Sequence, residues 1–129
     1  MSTTEHERVV RDFLTGMGPT PADIASTVDR FLTDDCVWEN PGTPPCHGKP
    51  EILKLMPPDF ARLEVRFRHV VAVGDTVLVE RVEDMLREDG TAIARNLKVM
   101  AAFELRGGRI SAWRDYFDIT NLVSDPPEW

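Results

Sequence analysis

The run Arg62-Leu63-Glu64-Val65-Arg66-Phe67-Arg68-His69-Val70-Val71-Ala72-Val73 alternates between two kinds of residue. Leu63, Val65, Phe67, His69, Val71 and Val73 fall on one side, and Arg62, Glu64, Arg66, Arg68 and Val70 on the other. A period of two with one apolar and one charged side is the mark of an antiparallel strand with one face buried. Three more long segments follow, set apart by turn residues. Gly74-Asp75 leads into 76–87, Glu88-Asp89-Gly90 into 92–105, and Arg106-Gly107-Gly108 into 109–118. Within 92–105, Leu97, Val99, Ala101 and Phe103 share one face, with Asn96, Lys98, Met100 and Glu104 on the other.

Upstream of this meander the period changes to that of a helix. Val9, Val10, Phe13 and Leu14 predict a helix over about 5–17, stopped by Gly16 and Gly18. A second begins at Thr20-Pro21, with Thr20 as cap, Pro21 in the first position and Asp23 in the first turn. Its stripe is Ile24, Val28, Phe31 and Leu32; Asp34-Asp35 is expected to break it before a short strand over 36–40. A rigid loop, Pro41 to Pro45, and a short helix over about 49–55 complete the first half. Helices followed by a curved antiparallel sheet predict a single α+β domain over 1–129, a cone whose concave face the helices cover above a pocket. The tail, with Ile119, Leu122, Val123 and then Pro126-Pro127, reads as a short helix or a flap across the mouth.

Bulk composition narrows the partners. A formal net charge of −7 argues against nucleic acid or an anionic membrane. No stretch approaches the ~20 apolar residues of a bilayer span. The polar, acidic start Met1-Ser2-Thr3-Thr4-Glu5-His6-Glu7 is unlike a signal peptide, so a cytoplasmic location is expected. Cys36 and Cys46 fit no zinc spacing; Cys36 reads as a small core residue, and Cys46-His47 as loop neighbours rather than a nucleophile–base pair. No cofactor motif or metal-ligand cluster is visible.

The chemistry lies in the last strand and in the one after the first turn. In Trp113-Arg114-Asp115-Tyr116-Phe117-Asp118, Asp115 shares a face with Trp113 and Phe117 and so points inwards. A carboxylate sent inwards needs a partner or a shifted pKa. Glu80-Arg81-Val82-Glu83 supplies one, since Arg81 and Glu83 also share a face. Two carboxyls joined by an arginine suit paired acid and base catalysis, because close carboxyls rarely ionise together and one stays protonated. Met85, Leu97, Val99, Phe117, Val65 and His69 are read as walls of the pocket. Asp118 should face away from it.

Trp38-Glu39-Asn40, Glu80-Arg81-Val82-Glu83 and Trp113-Arg114-Asp115-Tyr116-Phe117-Asp118, in that order, resemble the limonene-1,2-epoxide hydrolase family, over nearly the whole chain. The resemblance implies the cystatin-like (NTF2-like, SnoaL-like) cone and a cofactor-free, one-step hydrolysis of an apolar epoxide to a vicinal diol. It implies Asp115 as general base, Arg81 as bridge and Glu83 as general acid, with Asn40 and Trp38 positioning the water. Two positions depart from the family's pattern, which has Asp where Glu83 stands and Tyr where Trp38 stands. A bulge turning Asp84 inwards in place of Glu83 is the alternative for the acid. A ketosteroid-isomerase-like or polyketide-cyclase-like enzyme, using His69 to stabilise an oxyanion, is the rival reading; a binding domain holding an apolar ligand is the third. The resemblance also implies a homodimer through the outer sheet face, with Asn96, Lys98, Met100 and Tyr116 in contact. Light scattering on a sized sample should give twice the chain mass; a monomer at working concentration contradicts the expectation.

Overall fold

Two capped helices open the chain. The structure is a computed structural model and describes residues 2–122. α1 (Thr3–Thr15) begins on Ser2, whose side chain accepts from the Glu5 N–H at 3.1 Å. It starts two residues before the expected Glu5 and ends before Met17. α2 (Pro21–Phe31) carries a full capping box: Thr20 Oγ1 accepts from the Asp23 N–H, and the Asp23 carboxylate accepts from the Thr20 N–H.

The next strand starts earlier than the sequence suggests. β1 (Leu32–Glu39) leaves the end of α2 directly, with Leu32 already extended. Asp34 and Asp35, expected as a break, are exposed positions of that strand, and Leu32, Thr33 and Cys36 its buried ones. Ion pairs to solvent-side cations make the two acids tolerable there: Lys49 meets Asp34 at 3.0 Å and Arg106 meets Asp35 at 2.5 Å. After the Pro41–Pro45 loop, an unforeseen two-residue strand β2 (Cys46–His47) pairs antiparallel with Val37 and Trp38. Two residues carry no readable period. Successive side chains point to opposite faces, so Cys46 is buried and His47 exposed, and they form no catalytic pair.

α3 (Lys49–Leu55) falls where expected, followed by β3 (Arg62–Val73), β4 (Thr76–Leu86), β5 (Ala92–Arg106) and β6 (Arg109–Tyr116). A 3₁₀ turn, Ile119–Leu122, follows β6; the rest of the expected tail flap, from Val123 on, lies outside the described residues. The six strands form one sheet in the order β2-β1-β6-β5-β4-β3, antiparallel except where β1 runs parallel to β6. α1 lies across β3, giving an α+β cone with the helices over its concave face.

One irregularity changes a reading of the sequence. The β3–β4 register shifts between Phe67 and His69. Beyond that bulge Val70 and Ala72 turn inwards, while Val71 and Val73 are exposed. His69 is therefore on the outer face, its side chain 76% exposed and its Nδ1 2.8 Å from Glu80 Oε1. It is no part of the pocket, because one inserted residue flips every side chain that follows.

The core is keyed by aromatic rings. Phe13 of α1 is fully buried and meets Trp113 of β6 edge-on at 5.1 Å and 86°, with Phe103 of β5 at 6.4 Å. Phe13→Ala should cost about 3–5 kcal/mol of stability, the range for deleting a buried phenyl ring. Urea denaturation measures it, and a loss below ~1 kcal/mol would place the helix–sheet key elsewhere.

Candidate active site

The register sets where three ionisable side chains meet. Arg81 on β4 is opposite Val99 on β5, and Asp115 on β6 is opposite Ala101 on β5. Inward-facing β5 residues thus separate arginine from aspartate, and the one beside Asp115 carries only a methyl group. Arg81 spans that low point. Its Nε donates to Glu83 Oε2 at 2.9 Å and its Nη2 to Asp115 Oδ1 at 3.0 Å. Arg81 is 1% exposed, and Glu83 and Asp115 are 6% each. The expected acid–Arg–acid cluster is present and almost wholly buried.

A bulge does lie beside Asp84, but its extra residue is on β5, so β4 keeps its alternation and Glu83 its inward place. The β4–β5 register shifts between Glu83 and Met85, and Asn96 opposite adopts φ 52. Asp84 faces away from the interior by the plain alternation of β4, and its Oδ1 accepts from the Asn96 N–H at 2.8 Å and from Arg66 Nη2 at 3.3 Å. Burial raises the Asp84 pKa, but those bonds outweigh it and leave the carboxyl below its ordinary value. Asp84 is a fixed structural anion, and Glu83 is the inward acid.

Charge separates the cluster's members. Burial is the largest influence on Glu83 and pushes its pKa up; Arg81 pulls it down, Asp115 pushes it up again, and the balance lies above the ordinary value. Burial works against the Arg81 charge, but Glu83 and Asp115 hold its pKa above normal. The guanidinium is the fixed cation and Glu83 the group inclined to keep a proton.

Asp115 is held by more than arginine. Trp113 Nε1 donates to its Oδ1 at 3.0 Å, and Trp38 Nε1 to its Oδ2 at 3.2 Å. The two indoles stack at 4.2 Å and 15°. Asn40, just past β1, has a buried Nδ2 without a partner among the described residues, as does Arg81 Nη1.

These groups line one end of a cavity of about 270 Å³. That is nearly twice the ~150 Å³ that admits a benzene ring. Of the expected walls, Met85, Leu97 and Phe117 line it. Val65 packs against the core instead, and Val99 is buried beside Arg81 in the ladder, so neither forms the wall. Sequence reading missed Met17, Met56 and Phe60, which reach the cavity from segments between regular elements, where no period marks an inward side. At the mouth, Ile119 sits on Gly42, where an added Cβ would come within 2.5 Å of it. Among the described residues, no three His, Cys, Asp or Glu side chains converge as a metal site requires, and no helix is long and apolar enough to cross a membrane.

Comparison with known proteins gives the family of the chain. Residues 4–127 match the model of the limonene-1,2-epoxide hydrolase catalytic domain. The chain belongs to the limonene-1,2-epoxide hydrolase family. Epoxide hydrolase EphG of Mycobacterium tuberculosis (strain ATCC 25618 / H37Rv) is 34% identical over 98 residues, which are 74% of this chain and 64% of that protein. The match thus spans just under two thirds of that relative's length. A solved M. tuberculosis LEH-like epoxide hydrolase is 33% identical, with a TM-score of 0.73, covering 94% of this chain and 88% of that one. An NTF2-like protein from Burkholderia pseudomallei K96243, at 18% identity and a TM-score of 0.74, covers 95% of this chain and 96% of its own, and shows the shared cone alone. Within the limonene-1,2-epoxide hydrolase family, then, this chain builds its acid–Arg–acid cluster with a glutamate.

The raised Glu83 pKa links stability to pH. The folded carboxyl binds its proton more tightly than the unfolded one, whose ordinary value is 4.5. Its contribution is fully present below that value and is lost as pH rises towards the folded pKa. Glutamine has no such dependence. The Tm of Glu83→Gln, relative to the native chain, should therefore climb as pH rises from 4.5 through the raised folded pKa. A difference that stays flat across that window would contradict the neutral, buried acid.

Proposed function

We propose that this protein hydrolyses an apolar epoxide to a vicinal diol in one step, without a covalent enzyme intermediate. The observation that carries the reading is the buried Arg81 bonded to Glu83 on one side and Asp115 on the other, at one end of an otherwise apolar cavity. Family membership supports it.

In this reading Asp115 takes a proton from water as the water oxygen bonds to an epoxide carbon. The carbon–oxygen bond of the ring breaks, and Glu83 gives its proton to the ring oxygen, which leaves as a hydroxyl. Asp115 ends protonated and Glu83 ionised, so one proton must return from base to acid before the next turnover. Acid and base each typically contribute ~10²–10⁴-fold, because water is a poor nucleophile and alkoxide a poor leaving group. Arg81 stays charged throughout and holds both carboxyls in place. Asn40 holds the water through its unpartnered Nδ2, while Trp38, expected to share that task, has its only donor on Asp115. Glu83, a methylene longer than the family's aspartate, sets where the epoxide oxygen lies. The substrate is a small cyclic or terpene-like epoxide.

The isomerase or cyclase alternative was built on His69, which lies on the outer face. A homodimer through that face remains part of the proposal, since Met100 and Tyr116 are exposed directly opposite one another on β5 and β6.

Single-turnover reaction in ¹⁸O-water with a panel of cyclic and terpene epoxides tests the reading. Diol carrying one label on the first turnover is expected. Asp115→Asn and Glu83→Gln should each lower kcat by at least ~10²-fold. In the native enzyme the rate should fall as pH rises through the elevated Glu83 pKa, where the acid loses its proton. Unlabelled first-turnover diol would mean attack by a carboxylate, and full activity in Asp115→Asn would remove the base from the scheme.

A further inference from the structure

An ionised carboxylate offers about four lone-pair directions, and three of those on Asp115 are taken by fixed donors. Arg81 Nη2 and Trp113 Nε1 both reach Oδ1, at 3.0 Å each, and Trp38 Nε1 reaches Oδ2 at 3.2 Å. Oδ1 is saturated. A proton from water can arrive only at the remaining direction on Oδ2.

Trp38 is not free to give up its place. Its backbone lies opposite Cys46 on β2 and Trp113 on β6, so neighbours on both sides hold it. Its ring is stacked on Trp113, which Phe13 braces edge-on and Phe103 overlies at 6.1 Å and 15°. Indole nitrogen donates one hydrogen bond and accepts none, so it can neither take a proton from water nor hold water by a lone pair. The residue lines the cavity beside the reacting groups, yet its one polar atom is aimed at the carboxylate.

We infer that Trp38 is a positioning residue for Asp115: its N–H fixes which oxygen, and which lone pair of that oxygen, accepts the proton of the attacking water. This rests on the hydrolytic reading and deepens it. The two oxygens then have separate tasks, Oδ1 anchored to Arg81 and Trp113, and Oδ2 held at one side by Trp38 and working at the other. Without the indole N–H, Oδ2 has two open directions and the carboxylate can turn about its bond. Water then divides between a productive and an unproductive site. The loss falls on the chemical step and leaves the apolar wall intact.

The test separates the N–H from the ring. Trp38→3-benzothienylalanine, introduced by codon suppression, keeps the bicyclic ring and its stack and removes only the donor; Trp38→Phe is made in parallel. With an epoxide that the native enzyme turns over, kcat of the benzothienyl variant should fall about 10- to 100-fold, the effect of one lost hydrogen bond to a charged group, with KM within about twofold. The variant should still fold cooperatively, its Tm lowered by no more than the loss of one hydrogen bond to a charged group. Unchanged kcat, or a rise in KM alone, would reduce Trp38 to a wall of the pocket and overturn the inference. A second readout does not depend on the reaction. In ¹⁵N-indole NMR of the chain's three tryptophans, the Trp38 resonance, assigned by its loss in Trp38→Phe, should lie downfield and move in Asp115→Asn. A Trp38 resonance indifferent to Asp115→Asn would overturn the inference even if every epoxide were hydrolysed. Absence of diol from all epoxides, with that resonance responding, would count against the hydrolytic role of the pair while leaving the contact established.

Discussion

A guanidinium with almost no access to water is the constraint on which this site depends. Burying a charge costs several kcal/mol unless it is paired with good geometry. Arg81 meets that condition through two carboxyls on two strands, Glu83 beside it on β4 and Asp115 across β5. Each partner is in turn inside only because the arginine is. Two acids alone in this cavity would repel, and one arginine alone would not remain there. The triad is thus a mutual requirement, and it fixes the pairing of β4, β5 and β6 as firmly as the apolar residues do. Ala101 shows the backbone's side of the arrangement, since the reach across β5 passes beside its single methyl group.

The rest of the fold carries rigidity to that point. Phe13 presses from α1 onto Trp113, Trp113 stacks on Trp38, and both indoles end on the Asp115 carboxylate. Helix packing and the orientation of a reacting group are therefore one chain of contacts. Such support is what holds a catalytic group within the ~0.5 Å that its geometry demands. The cost is borne in two buried atoms without a partner among the described residues, Arg81 Nη1 and Asn40 Nδ2, on residues that line the cavity.

Much of this was legible because strands have a period of two. The i, i+2 spacing of Arg81 and Glu83, and of Trp113 and Asp115, put all four on the inner face before any coordinate was known. The helix caps at Thr20 and the run Lys49–Leu55 were equally plain. The misplacement of His69 has a plain physical origin: period is blind to an inserted residue. The bulge after Phe67 moved His69, Val71 and Val73 to the outside. β2, with two residues, had no period at all, and the cavity walls from Met17, Met56 and Phe60 come from irregular chain. Nor could spacing reveal that the Trp38 N–H ends on Asp115, because that contact joins residues 77 apart on neighbouring strands.

What makes the cluster more than an ion-pair network is asymmetry between its acids. Asp115 collects donors on both oxygens, whereas among the described residues Glu83 is bonded by the Arg81 Nε alone, and burial presses Glu83 to keep its proton. One group is thereby suited to receive a proton and the other to give one, at the same pH and on the same arginine. The most direct test is the protonation state itself. Infrared difference spectra near neutral pH, native minus Glu83→Gln, should contain the C=O stretch of one neutral buried carboxyl. A difference spectrum showing only the bands of an ionised carboxylate would mean that both acids are charged together, and the account of this site would fail.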